Sequence, residues 1–179
     1  MEDSLRHKGM RKQLIKELIS KGIKNQEVLN AINAIPRHIF MDQAFERFAY
    51  QDKAFPIAAG QTISQPYTVA FQTELLEVTR GDKVLEVGTG SGYQASVLCE
   101  MGVKVFTIER QKELFEKSRH FFEILKYRPQ QKFGDGYKGL PIHGPYDGIV
   151  VTCGAPFVPK ALLTQLKVGG RLVIPVGEE

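Results

Sequence analysis

Val84-Leu-Glu-Val-Gly-Thr-Gly-Ser-Gly-Tyr-Gln-Ala-Ser-Val-Leu98 reads as a strand, a glycine turn and a helix in succession. Val84 to Val87 are apolar and β-branched apart from one glutamate, the pattern of a buried strand. Gly88, Gly90 and Gly92 break the run, and helical spacing resumes from Tyr93. A glycine turn between strand and helix lets the backbone approach a ligand closely, and the helix N-terminus offers it unpaired N–H groups. The next apolar run, Val103 to Ile108, ends in Glu109. That places a carboxylate at the tip of a second strand, where it can accept from two ribose hydroxyls. Together the two features predict a nucleoside-containing cofactor.

Strand and helix alternate from there onward. Strands are expected at Val84–Val87, Lys104–Ile108, Gln130–Phe133, Asp147–Val151 and Arg171–Val176, with helices at Tyr93–Met101, Gln111–Leu125 and Pro159–Leu166. Such alternation with short loops implies an α/β, Rossmann-like doubly wound fold with a mostly parallel sheet and helices on both faces. Ligands in such sheets bind beyond the carboxyl ends of the strands. Those ends are Glu86 to Gly92, Glu109-Arg110, Gly134-Asp135-Gly136 and Thr152 to Ala155. Asp135, flanked by glycines, is either a turn aspartate or a carboxylate accepting from an adenine amino group. Glu86 either bonds backbone N–H groups of the glycine turn or faces solvent.

Upstream lies a helical extension. Residues 4–20 are basic and amphipathic, Gly22 can end that helix, and Asn25 caps a second one from Gln26 to Ala34 that Pro36 stops. Arg37 to Phe40 read as an extended or turn segment, and Asp42 to Phe48 as a further short helix. Tyr50 to Pro66 is a long irregular stretch whose apolar residues argue for an ordered, functional loop. Pro66 suits the start of a helix over Tyr67 to Val78, so Ser64 or Gln65 can cap it or contact a substrate.

Bulk composition narrows the classes. The chain has 179 residues, 42% hydrophobic and 25% charged, which suits one globular domain: residues 1–78 as helices and loop, 79–179 as the α/β core. A net charge of +4 is too mild to argue for nucleic acid. Cys99 and Cys153 make neither a metal spacing nor a disulfide framework, which favours a reducing cytoplasm. The four histidines are scattered, so no metal site is expected. No apolar run approaches the roughly 20 residues of a membrane span.

Ala59-Gly-Gln-Thr-Ile-Ser-Gln-Pro-Tyr67 and Val84 to Ala95 resemble the two signature blocks of the protein-L-isoaspartate O-methyltransferase family. Pro36 to Phe40, Gly134 to Gly136, Tyr146 to Val151 and Leu166 to Gly177 are similar to the family in the same order. The Gln61-to-Pro66 block discriminates, because many methyltransferases share the glycine motif. The resemblance implies methyl transfer from S-adenosyl-L-methionine to the α-carboxylate of isoaspartyl residues in damaged proteins and peptides. It places Gly88, Thr89, Gly90 and Ser91 at the methionine end of the cofactor, Glu109 at the ribose, and Asp135 with Gly136 at the adenine. Glu86 and Arg110 are further candidates for the cofactor site. Ser64 matches the active-site serine, with Thr62, Ile63 and Gln65 beside it at the substrate. The family carries additional strands beyond the point corresponding to Glu179, without which Arg171–Val176 would have an open edge. A cytoplasmic monomer without nucleic-acid or membrane partners is expected. Rival classes are an NAD-dependent oxidoreductase, which shares the turn and strand-end acid but lacks a Tyr–Lys or His–Asp arrangement, an RNA methyltransferase, which lacks a basic, aromatic-interleaved stripe, and a cofactor-binding protein without activity.

Overall fold

The computed structural model describes residues 3–177. Helix α1 (Leu5–Ser20) begins at Ser4, whose Oγ accepts from the His7 N–H, and α2 (Gln26–Ala34) begins at Asn25, whose side chain accepts from Glu27 and Val28 N–H. These caps satisfy donors that a helix N-terminus leaves open. Pro36 ends α2 as expected. Of the two following segments, Arg37–Phe40 is a 3-10 turn, the turn alternative of the sequence reading, and Gln43–Phe48 is a short helix of the tighter 3-10 kind.

The long irregular stretch is ordered, in line with its apolar residues, and carries regular structure. It forms a two-stranded antiparallel hairpin, β1 (Phe55–Pro56) and β2 (Thr62–Ile63), around a 3-10 turn at Ala58–Gly60. Two prolines and a glycine in the loop hid strands only two residues long. Helix α3 (Pro66–Leu76) follows, with proline at its first position.

The main sheet comprises β3 (Lys83–Val87), β4 (Lys104–Glu109), β5 (Gln130–Phe133), β6 (Tyr146–Val151) and β7 (Leu166–Val173) in the order β5-β4-β3-β6-β7. Every pairing within it is parallel. The order turns back between β3 and β6, which leaves a crevice at their carboxyl ends. Helices α4 (Tyr93–Glu100), α5 (Lys112–Leu125) and α6 (Lys160–Leu163) complete the alternation.

Strand side chains alternate between two cores, as a period of two requires. Val84, Val105 and Val150 join the core made with α1 to α5, while Leu85, Phe106, Ile149 and their neighbours join a smaller one on the opposite face. Both faces are thus covered, but unequally: the second is covered by the one-turn α6 and by 3-10 turns at Gly136–Lys138 and Pro141–His143. The helix expected over Pro159–Leu166 is therefore shorter, because Leu166 already pairs with Tyr146. An irregularity follows, and regular pairing resumes with Arg171 opposite Gly148, at the residue where the sequence places the strand. Among the described residues no helix is long and apolar enough to cross a membrane.

Candidate functional site

A cleft of about 540 Å³ opens at the carboxyl end of the sheet. Its walls come from the ends of four adjacent strands and from the hairpin segment: Gly88–Ser91 after β3, Glu109–Gln111 after β4, Asp135–Tyr137 after β5, Thr152–Pro156 after β6, and Gln61, Thr62 and Ser64. That volume lies within the range of roughly 300–1,000 Å³ that small-molecule sites occupy.

The glycine turn is held from both sides. Gly88 and Thr89 N–H donate to the Ile108 carbonyl, and the Thr152 hydroxyl donates to the Gly88 carbonyl. Gly88 sits at φ +95°, and a Cβ there would lie 2.7 Å from Thr152 Oγ1, so the turn needs glycine at this point. Gly90 has open space where a Cβ would be. Its N–H donates to Glu109 Oε2 at 2.8 Å, and Gln111 N–H donates to Oε1 at 2.8 Å. Each carboxylate oxygen has two acceptor sites, so Glu109 keeps one per oxygen for two hydroxyls. Asp135 Oδ1 accepts from Tyr137 N–H at 3.0 Å, the turn role, and the residue also lines the cleft.

Glu86 follows neither course read from the sequence. It is fully buried and lies opposite Thr107 in the β3–β4 register, where the Thr107 hydroxyl donates to its Oε2 at 2.5 Å. Thr89 Oγ1 lies 2.6 Å from Thr107 Oγ1, extending the chain of hydroxyls to the turn. Burial above all, with the Glu109 charge added, pushes the Glu86 carboxyl up to about 8. It therefore carries a proton at neutral pH.

On the other wall, strand alternation decides which residues of Thr62 to Gln65 face the cleft. Ile63 is 1% exposed and belongs to the core, so Thr62 and Ser64 on either side of it line the cleft. Gln65 instead donates to Asp52 Oδ2 at 3.0 Å. Ser64 does not cap α3. Gln65 holds the cap position without a side-chain bond there, and the Tyr67 N–H donates to Asp52 Oδ1 at 2.7 Å. Among the described residues the Ser64 hydroxyl has no hydrogen-bond partner. Of the residues singled out in the sequence, Thr62, Ser64, Glu86, Gly88–Ser91, Glu109, Arg110, Asp135 and Gly136 line one cleft; Ile63 and Gln65 do not. Gln61, Gln94, Gln111 and Leu114 line it too. Their polarity or helical spacing is ordinary, and only their position beside the strand ends marks them. Tyr93 also reaches the wall although it is a buried packing residue, with the Arg37 guanidinium 4.8 Å above its ring.

Away from the cleft, Asp3, His7 and His38 bring candidate ligand atoms within 4.8 Å of one another. Both Asp3 oxygens accept from Arg11, His7 Nε2 lies 3.0 Å from Glu46, and His38 Nδ1 lies 2.7 Å from the Tyr50 hydroxyl. These contacts make the group a polar junction between α1 and the 3-10 turns.

Comparison with known proteins places this architecture. Residues 9–179 match the family described as protein-L-isoaspartate(D-aspartate) O-methyltransferase. The chain is 65% identical to the protein-L-isoaspartate O-methyltransferase of Christiangramia forsetii over 180 residues, all of this chain and 84% of that one. A solved protein-L-isoaspartate O-methyltransferase superposes with a TM-score of 0.85 at 31% identity, covering 93% of this chain and 55% of the other. A Plasmodium falciparum structure, described as a protein of the same kind in complex with S-adenosyl-L-homocysteine, gives 0.80 at 26% identity, covering 94% and 85%. By a match over nearly its whole length and by relatives of which it covers more than four-fifths, this chain belongs to the protein-L-isoaspartate(D-aspartate) O-methyltransferase family.

Proposed function

We propose that the chain transfers a methyl group from S-adenosyl-L-methionine to the α-carboxylate of L-isoaspartyl residues in damaged proteins and peptides. One observation carries this: Ser64, whose hydroxyl has no partner among the described residues, lines the same cleft as the Gly88–Ser91 turn and Glu109. The residues fit the donor. Gly88, Thr89, Gly90 and Ser91 would hold its methionine end against open backbone, the free acceptor sites of Glu109 would take the ribose hydroxyls, and Asp135 with Gly136 would take the adenine. Arg110 would close the rim, and Glu86 would brace the turn from beneath through Thr107 and Thr89. The bound donor supplies an electrophilic methyl on a sulfonium cation.

Everything else falls to the chain. Ser64 and Thr62 hold and orient the substrate carboxylate, while Ile63 anchors their strand in the core and Gln65 fastens it to Asp52. A carboxylate is already ionised at neutral pH, so no general base is needed. Charge is neutralised as carboxylate and sulfonium react, so excluding water from the cleft favours the transition state. Holding the acceptor in line with the transferring methyl supplies the rest. Cys99 and Cys153 are free thiols, which supports a reducing, cytoplasmic setting.

Methyl transfer from labelled S-adenosyl-L-methionine to an isoaspartyl peptide, with the matching aspartyl peptide as control, tests the proposal. The isoaspartyl peptide should accept label and the control should not. Equal labelling of both, or of neither, would overturn it.

A further inference from the structure

Among the described residues nothing hydrogen-bonds the Ser64 hydroxyl, so its place depends on the backbone at either side. On the N-terminal side that backbone is fixed by the β1–β2 pairing and by Ile63 in the core. On the C-terminal side the contacts converge on one residue, Asp52, whose side chain is 2% exposed. Its Oδ1 accepts from the Tyr67 N–H at 2.7 Å, and its Oδ2 accepts from Gln65 Nε2 at 3.0 Å and from Lys21 Nζ at 2.5 Å. The three donors come from the end of α1 and from both sides of Pro66. The turn that carries Asp52 is itself clamped: the buried Arg37 guanidinium donates to the carbonyls of Ala49 at 2.9 Å and Lys53 at 3.3 Å.

We propose that Asp52 is a positioning residue for methyl transfer, a buried carboxylate that clamps the Gln65–Tyr67 entry to α3 and so presents the Ser64 hydroxyl to the cleft. Burial opposes ionisation of Asp52, but Lys21, the Tyr67 N–H and Gln65 outweigh it and hold the carboxyl below the ordinary range. The ionised form has acceptors for all three donors at once. An amide in its place would keep one acceptor and turn a donor toward Gln65 and Lys21. Displacement of a positioning group by about 1 Å can lower a rate about 100-fold.

The inference rests on the methyl transfer proposed above, so the test begins with wild-type activity on the isoaspartyl peptide; an inactive wild type counts against that function, not against the clamp alone. Given activity, Asp52→Asn should lower kcat by roughly 10- to 100-fold. Titration with S-adenosyl-L-homocysteine should still show one site at wild-type affinity, which loss of folded protein would not allow. In a Ser64→Ala background the same substitution should change kcat less than about 3-fold, because the group it positions is gone. Gln65→Glu added to Asp52→Asn restores an acceptor facing the introduced amide and Lys21, and should recover most of the lost rate. If Asp52→Asn does not fold, Gln65→Met removes one leg of the clamp alone, with an expected loss of about 3- to 10-fold in the Ser64 background only. Wild-type kcat in the variants, or an equal loss with serine and with alanine at position 64, would overturn the proposal.

Discussion

Ser64 and Glu86 are each set by a neighbour on a strand, and each makes a prediction of its own. Replacing Ser64 by alanine removes one positioned donor from the cleft wall. Turnover on the isoaspartyl peptide should fall by about 10- to 1,000-fold, with cofactor affinity unchanged; unaltered turnover would take Ser64 out of the site. Asp135→Ala should weaken cofactor binding and leave the fold intact, which calorimetry and circular dichroism read separately. Glu86 links site and stability. Its carboxyl is raised to about 8 in the fold and titrates near 4.3 when unfolded. Between those values the folded chain holds a proton that the unfolded chain releases. The stability tied to this proton is therefore fully present below about pH 4.3 and is lost as pH rises through about 8. In thermal melts without ligand, wild type should lose stability relative to Glu86→Gln between pH 5 and 8; parallel curves would show that Glu86 is ionised in the fold. The glycines, Glu109 and Asp135 were legible in the sequence because they sit at strand ends, where a topology rule locates the cleft. The protonation of Glu86 was not. It comes from complete burial in the folded sheet, with the Glu109 charge added, while the Thr107 hydroxyl opposite in the register works the other way.

Elements were legible where periodicity runs long and obscure where it is short. Strands β3, β4 and β6 appear close to their expected bounds because two-sided burial gives largely apolar runs, whereas β5, a polar edge strand, falls on its bounds without one. The β1–β2 hairpin escaped notice, since two residues carry no period, and the capping of α3 escaped because its acceptor, Asp52, lies 15 residues before Tyr67. The β3–α4 junction offers the sharpest test at this scale. Gly92 caps α4 at φ +87°, and a Cβ would lie 3.0 Å from Phe122 Cζ and 3.2 Å from Ser118 Cβ. Gly92→Ala combines a disfavoured backbone with contact against α5. It should destabilise the protein by about 1–3 kcal/mol in urea denaturation; wild-type stability would mean that the turn adapts.

For the whole molecule, the sheet order gathers the cleft residues at the carboxyl end of the main sheet, with the hairpin segment beside it. A ligand that binds only this folded arrangement raises its stability by mass action. At 100 times its dissociation constant, S-adenosyl-L-homocysteine should add about 2.7 kcal/mol, or roughly 5–10 °C in melting temperature for a chain of this size. NADH at the same concentration should leave the melt in place, and a shift by NADH alone would favour the dehydrogenase class. The central claim is a juxtaposition: one cleft joins a donor at the Gly88–Ser91 turn to an acceptor held by Ser64. A crystal structure with S-adenosyl-L-homocysteine and an isoaspartyl peptide measures it most directly. The predicted result is the peptide α-carboxylate at hydrogen-bond distance, about 2.5–3.0 Å, from Ser64 Oγ, with the cofactor sulfur facing it across the turn. A peptide carboxylate bound elsewhere, with the Ser64 hydroxyl turned away from both ligands, would contradict it.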